Sequence, residues 1–258
     1  MTTPILVTGG TGTLGRPVAQ QLREAGASVT VLSRHGREAV EGIRYTAGDL
    51  STGEASRPRC EAPRLSCTAQ AAARAMSRRR ARWSARPRRR GTSCSSPSSG
   101  QTGYRSSAPS TGLLFGYFGM KLATERVVEQ SGIGWTTLRA TQFYDLILMV
   151  ARGLARLPVI PAPTGSRFQP VEVTEVAERM AELALGEPSG QAPDLAGPKT
   201  YTLAELVNSY LSAVGKRRPL VPVHIPGQAA RAIRAGANLA PDHAVGKRTW
   251  EDFLADRI

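Results

Sequence analysis

The chain has no run of 18 apolar residues, so no membrane span is expected. It has few cysteines: Cys60, Cys67 and Cys94 have neither the spacing of a zinc site nor that of a disulfide framework. The three histidines, His35, His224 and His243, are too scattered to suggest a metal centre. No basic, cleavable leader opens the sequence, which runs straight into the apolar stretch Pro4-Ile5-Leu6-Val7, and this predicts a cytoplasmic protein. The most telling absence is local. From Ala55 to Gly112 there is no Val, Ile, Phe, Asp, Asn, Lys or His, and Glu61 is the sole acid among 13 arginines. That stretch carries +12 of the formal net charge of +14. A basic excess spread over a whole chain is the footprint of a nucleic-acid partner. Confined to one stretch, it does not predict one, because the remainder is almost neutral and has ordinary globular patterning.

A tract of Arg, Ser, Pro and Ala is commonly a disordered, nucleic-acid-binding insert. Here the collapsed alphabet reads instead as GC-rich coding DNA translated out of frame. Joining the third base of each codon to the first two of the next turns serine into an aliphatic residue or Phe, and cysteine into Leu, Met or Val. Applied to residues 66–71, this permits Val-Val-His-Cys-Ala-Gly; applied to residues 95–102, it permits Val-Val-Ser-Ile-Val-Gly-Ala-Asp. Both read as buried strands of a parallel sheet. As written, residues 55–112 are expected to leave those central strands disrupted. Sequencing the gene across this segment is expected to show an uninterrupted second frame; a stop codon within it overturns the reading.

What is present is concentrated in Thr8–Gly15, Thr-Gly-Gly-Thr-Gly-Thr-Leu-Gly. An apolar strand precedes it and an amphipathic segment, Arg16 to Ala27, follows. Strand, glycine turn and helix in this order make a nucleotide-binding crossover. Gly9 allows the tight turn, Gly12 a close approach of backbone to pyrophosphate, and Gly15 the packing of helix on strand. Thr11, Thr13 and Leu14 complete the cradle, and the helix N-terminus offers N–H groups and a positive dipole end to the phosphates. The next strand, Val29–Ser33, ends in Ser33-Arg34-His35-Gly36-Arg37. An acid there would bind a free ribose 2′-hydroxyl, whereas Arg34 and Arg37 suit a 2′-phosphate. NADP is therefore the expected cofactor, with NAD the alternative. A third strand, Ile43–Ala47, leads into Gly48-Asp49-Leu50, where Asp49 can accept from an adenine amino group or cap a following helix.

Ordinary patterning resumes at Leu114. Phe115–Gln130 is predicted helical, Trp135–Arg139 a strand, and Thr141–Arg156 helix or loop over a substrate cleft, with Gln142, Phe143 and Tyr144 at its edge. Phe168–Val173 reads as a late strand and Glu175–Leu185 as a helix. Thr202-Leu203-Ala204-Glu205 is a capping box opening a helix to Gly215. Leu220–Ile225 is extended, and Ala229–Ala240 is a basic amphipathic helix carrying Arg231 and Arg234. The fold class expected is α/β: a Rossmann-type doubly wound parallel sheet over residues 1–150, with a small C-terminal substrate-binding portion over 151–258.

Tyr117 and Lys121 form Tyr-x-x-x-Lys, and residues four apart share a helix face. The ammonium lowers the phenol pKa, and the phenol can then act as general acid or base toward a carbonyl. A core tyrosine beside a surface lysine gives the same pattern. The glycine turn, Gly48-Asp49-Leu50, Tyr117–Lys121, Leu138-Arg139-Ala140-Thr141 and the later Pro170-Val171-Glu172-Val173-Thr174-Glu175-Val176-Ala177 occur in one order. Together they resemble the short-chain dehydrogenase/reductase superfamily, in its atypical branch of NmrA-like and NAD(P)H-dependent quinone-reductase-like proteins. The resemblance covers residues 1–54 and 113–258. It implies a bound NAD(P) and reduction of a carbonyl or quinone, a small-molecule substrate; some members bind the dinucleotide without turnover. It implies cofactor contacts at Gly9, Gly12, Gly15 and Asp49 and a catalytic pair at Tyr117 and Lys121. The family's catalytic serine has no counterpart, since in the shifted frame it falls at Pro97. Impaired turnover is the expectation.

Overall fold

The structure is a computed structural model. It describes residues 4–34, 38–40, 42–49, 54–55, 65–68, 92–95, 125, 129–130 and 134–258. The chain divides into two compact units: Met1–Pro97, Gly119–Leu138 and Val176–Ala192 form the first; Ser98–Phe118, Arg139–Glu175 and Pro193–Ile258 form the second.

The first unit is built on an eight-stranded sheet. Its strands are β1 (Pro4–Thr8), β2 (Ser28–Ser33), β3 (Arg44–Asp49), β4 (Glu54–Ala55), β5 (Leu65–Thr68), β6 (Thr92–Ser95), β7 (Trp135–Thr137) and β10 (Gly190–Gln191). Their spatial order is β10-β7-β6-β5-β1-β2-β3-β4, parallel throughout except for the β3–β4 hairpin. The chain leaves β1 toward β2 and β3, then returns to β1's other side as β5. This reversal is the topological switch point of a doubly wound sheet, so the expected fold class is correct. Helix α1 (Gly15–Glu24) is amphipathic: Gly15, Val18, Ala19 and Leu22, at helical spacing, are its buried face. Ile5, Val7, Val29 and Val31 bury the alternate positions of β1 and β2.

The expectation that the central strands are disrupted is corrected. β5 and β6 are present, lying between β1 and β7. Parallel pairing uses backbone groups that every residue carries except for the missing N–H of proline. Neither Leu65–Thr68 nor Thr92–Ser95 contains a proline, and each strand has a paired neighbour on both sides.

The second unit has a core of its own. It joins α2 (Tyr144–Leu154), α4 (Leu203–Ala213) and α6 (Trp250–Ala255) with β8 (Ile160–Pro163). Tyr144, Trp250 and Phe253 stack with ring centroids 5.2–5.7 Å apart. The capping box read from Thr202 and Glu205 is formed: Glu205 N–H donates to the Thr202 hydroxyl, and Thr202 N–H donates to the Glu205 carboxylate. The late strand is shorter than expected. β9 is only Arg167–Phe168, paired with β11 (Tyr201–Thr202), because Pro170 has no N–H for a ladder. Helix α3 (Val173–Leu185) begins two residues early. The basic helix is reduced to the seven residues of α5 (Gln228–Arg234), and β12 (Leu220–Val223) pairs with β8. The strand expected over Trp135–Arg139 ends at Thr137; Ala140 bridges instead to Leu195.

Candidate functional site

In the first unit the glycine turn joins β1 to α1 at the carboxyl edge of the sheet. Gly9 has φ 70°, a conformation that favours glycine. Its carbonyl accepts from Gly12 N–H at 2.9 Å, which closes the turn. Gly15 is needed for close approach: a Cβ there would lie 2.1 Å from the Gly9 oxygen and 2.6 Å from Gly10 Cα. Gly10 was missed by the sequence reading, although the Gly-Gly doublet signals it; a Cβ there would meet Val31 Cγ1 of β2 at 2.7 Å. Gly12 differs. Among the described residues a Cβ on it would meet only the Gly9 oxygen, at 3.2 Å, which leaves its outer side open to an approaching group.

Leu14 is the N-cap of α1 and makes no side-chain cap, and the first turn of α1 has no acid. No acid of that first turn offsets the positive dipole end of the helix. Thr11 is half-buried, and Gly12 and Thr13 are exposed. Arg16, also missed, donates from Nε to the Thr11 carbonyl at 3.0 Å, which holds a guanidinium at the turn. An open backbone cradle, an uncapped helix start and a fixed cation fit a pyrophosphate.

Ser33 ends β2, and exposed Arg34 follows it. Asp49 ends β3 in register with Glu54 of β4. Arg37, Leu50, Tyr117 and Lys121 lie outside the described residues. The last residues of four neighbouring strands form one register row: Thr8, Thr68, Ser95 and Thr137. Ser95 thus stands at the carboxyl end of β6, two residues before the proline at which the sequence reading had lost the serine.

Gln142, Phe143 and Tyr144 belong to the second unit. Tyr144 is fully buried and donates to the Arg248 carbonyl at 2.7 Å, so packing is its role. Gln142 Nε2 donates to the Asn238 carbonyl at 3.1 Å. The motif Pro170–Ala177 has a structural explanation. Glu172 is 2% exposed and pairs with Arg248 at 3.4 Å, while Glu175 accepts from the N–H groups of Lys247 and Arg248 at 2.8 and 3.1 Å. Arg248 also pairs with Asp256, so the motif's carboxylates fasten the C-terminal helix. An open groove of about 620 Å³ lies between α4 and α6, lined in part by Asn208, Ser212, Glu251 and Leu254.

This clasp gives a test. Arg248→Met leaves the Glu172 carboxylate buried without its cation. It is expected to cost about 2–3 kcal/mol, below the range for fully buried pairs because Arg248 reaches solvent. Burial raises the Glu172 carboxyl above the ordinary carboxylate range, against the lowering influence of Arg248. A carboxyl raised on folding binds its proton more tightly in the native state. Its contribution to stability therefore improves as pH falls through the folded value toward the unfolded one. Urea midpoints of wild type relative to Glu172→Gln should rise from pH 7.5 to pH 5; a fall would mean that Arg248 outweighs burial.

The sheet order and the glycine turn define a Rossmann-type doubly wound α/β fold. Residues 5–82 match the sequence model of the NAD dependent epimerase/dehydratase family. No curated protein matches the chain. Among solved structures, the NADPH-dependent quinone oxidoreductase of Escherichia coli in complex with NADPH superposes with a TM-score of 0.72 at 15% identity. It covers 98% of this chain and 99% of its own. UDP-N-acetylglucosamine 4-epimerase from Bacillus cereus gives 0.64 at 14% identity, covering 99% and 98%. UDP-glucose 4-epimerase of Thermus thermophilus in complex with NAD gives 0.57 at 16%, covering 95% and 100%. At these identities the likeness establishes the fold. Among the described residues no helix is long and apolar enough to cross a membrane.

Proposed function

We propose that the protein is an NAD(P)-dependent oxidoreductase acting on a carbonyl or quinone, with NADP(H) preferred. The observation that carries this reading is the open cradle at Gly12, beside the uncapped start of α1 at the sheet's switch point. The backbone of Thr11–Leu14 and the Arg16 guanidinium would hold the pyrophosphate, Arg34 and Arg37 a 2′-phosphate, and Asp49 and Leu50 the adenine end. The bound nicotinamide would supply or take up a hydride. Tyr117 would donate the proton to the substrate oxygen, with Lys121 keeping its phenol acidic. The matched family and the NADPH- and NAD-bound neighbours support the cofactor class. Substrate recognition is assigned to the C-terminal portion, residues 151–258.

Titrating the chain with NADPH and NADH, followed by oxidation assays over quinones and aldehydes, tests the reading. No binding of either dinucleotide by folded protein overturns it. Binding without oxidation of NADPH across the panel supports instead a regulatory dinucleotide-binding protein. Arg34→Ala should weaken NADPH binding about tenfold, the value of one charge-assisted contact, and leave NADH nearly unchanged. Equal losses for both would place Arg34 away from the 2′-phosphate.

A further inference from the structure

We propose that the second unit docks on an anionic phospholipid bilayer through the face built on β8, β12 and α5. Outside residues 55–112 the chain is almost neutral, but its charge is unevenly spread. Residues 146–171 lie between Asp145 and Glu172 and contain no acid; their cations are Arg152, Arg156 and Arg167. Residues 206–241 lie between Glu205 and Asp242 and are equally free of acid; their cations are Lys216, Arg217, Arg218, Arg231 and Arg234. The fold joins these two distant stretches. β8 comes from the first and β12 from the second, paired in parallel with Val221 opposite Pro161, and Ile160 N–H donates to the Pro219 carbonyl at 2.9 Å. Arg234 is half-buried and the other seven cations are exposed. Among the described residues none of the eight pairs with a carboxylate.

The same two stretches hold seven of the eleven exposed large apolar side chains of the described residues. Val159 and Val221 are each 46% exposed, with Leu157 and Ile225 close to them in exposure. Strand alternation sorts the β8 side: Ile160 and Ala162 are buried, whereas Val159 and Pro161 face outward beside Val221. Helix α5, which carries Arg231 and Arg234, has no buried residue. A merely solvated basic face has no use for aliphatic side chains in water. An anionic bilayer uses both kinds: the aliphatic groups enter the headgroup boundary, and the guanidinium and ammonium groups meet lipid phosphates. Other partners fit less well. Neither 146–167 nor 211–241 contains Phe, Tyr or Trp to stack on nucleic-acid bases. Pro161, Pro163 and Pro222 lack the N–H groups that an added strand would need.

Cosedimentation of the full chain with lipid vesicles tests the proposal. Residues 55–112 are themselves basic, so each variant on the face has a matched control outside it. Binding is expected to vesicles of equimolar phosphatidylcholine and phosphatidylglycerol, not to phosphatidylcholine alone, and should weaken as salt rises. Arg217→Ala/Arg218→Ala should lower partitioning about thirtyfold, roughly fivefold for each cation; Arg88→Ala/Arg89→Ala should lose much less. Val221→Asp should lose about tenfold or more, the value of one aliphatic side chain withdrawn from an apolar phase. Leu185→Asp, at a comparably exposed position in the first unit, should bind like wild type. Urea midpoints check that each variant is folded. Equal losses in the two arginine pairs overturn the proposal, as does wild-type binding by folded Val221→Asp. A DNA duplex bound more tightly than the vesicles, and weakened by Arg217→Ala/Arg218→Ala, would also overturn it and make the partner a nucleic acid.

Discussion

Gly15→Val is expected to abolish dinucleotide binding and to lower the unfolding free energy by about 3 kcal/mol or more, the upper end for overpacking. The first added carbon alone would sit 2.1 Å from the Gly9 oxygen, 2.6 Å from Gly10 Cα and 2.7 Å from the Gly9 carbonyl carbon. All three are backbone atoms, so no side chain can rotate away. Either α1 withdraws from β1 or the turn opens, and both change the cradle proposed to hold the phosphates. Loss of binding with an unchanged urea midpoint would mean that the turn relaxes freely; retained NADPH binding would remove the turn from the proposed site.

A second glycine supplies the control. Gly153, near the end of α2, has nothing among the described residues, apart from its own helix's nearby backbone, within 4 Å of an added Cβ. Gly153→Ala should stabilise the protein by roughly 0.5–1 kcal/mol through helix propensity and reduced freedom of the unfolded chain. Substituting a glycine thus has opposite signs in the two places, decided by the backbone that surrounds each.

The glycine turn was legible because its demands are local: Gly9 needs a rare φ, and Gly15 needs contact with residues only a few positions away. The Thr202–Glu205 capping box was legible for the same reason. The fate of residues 65–68 and 92–95 was not. Their side chains argue against buried strands, yet each is paired on both sides by chain segments distant in sequence. The shifted-frame reading nevertheless marked residues 66–71 and 95–102 as strand positions, overlapping or adjoining the strands that form. Glu172 and Glu175 were recognised as a motif, but their partners Lys247 and Arg248 lie more than 70 residues away, so their fastening role needed the fold. Tyr117 and Lys121 carry the catalytic assignment on sequence pattern alone.

Trp250→Ala should cost about 3–5 kcal/mol, the range for deleting a fully buried large aromatic side chain. Trp250 is 0% exposed and stacks on Phe253 at 5.5 Å and Tyr144 at 5.7 Å. Its indole N–H donates to the Leu206 carbonyl at 3.0 Å, which ties the C-terminal helix to α4. Alanine would leave a cavity among three helices and an unpaired carbonyl. Trp250→Phe separates the two losses: it keeps most of the stacking but leaves Leu206 without its donor, for an expected cost of about 1–3 kcal/mol. If the phenylalanine variant is as unstable as the alanine variant, the hydrogen bond rather than the aromatic stack fixes the helix. The glycine turn belongs to the other unit, so NADPH affinity measured on the folded fraction of either variant should stay close to that of wild type. A large loss of affinity would show that α6 supports the cofactor site as well as its own core.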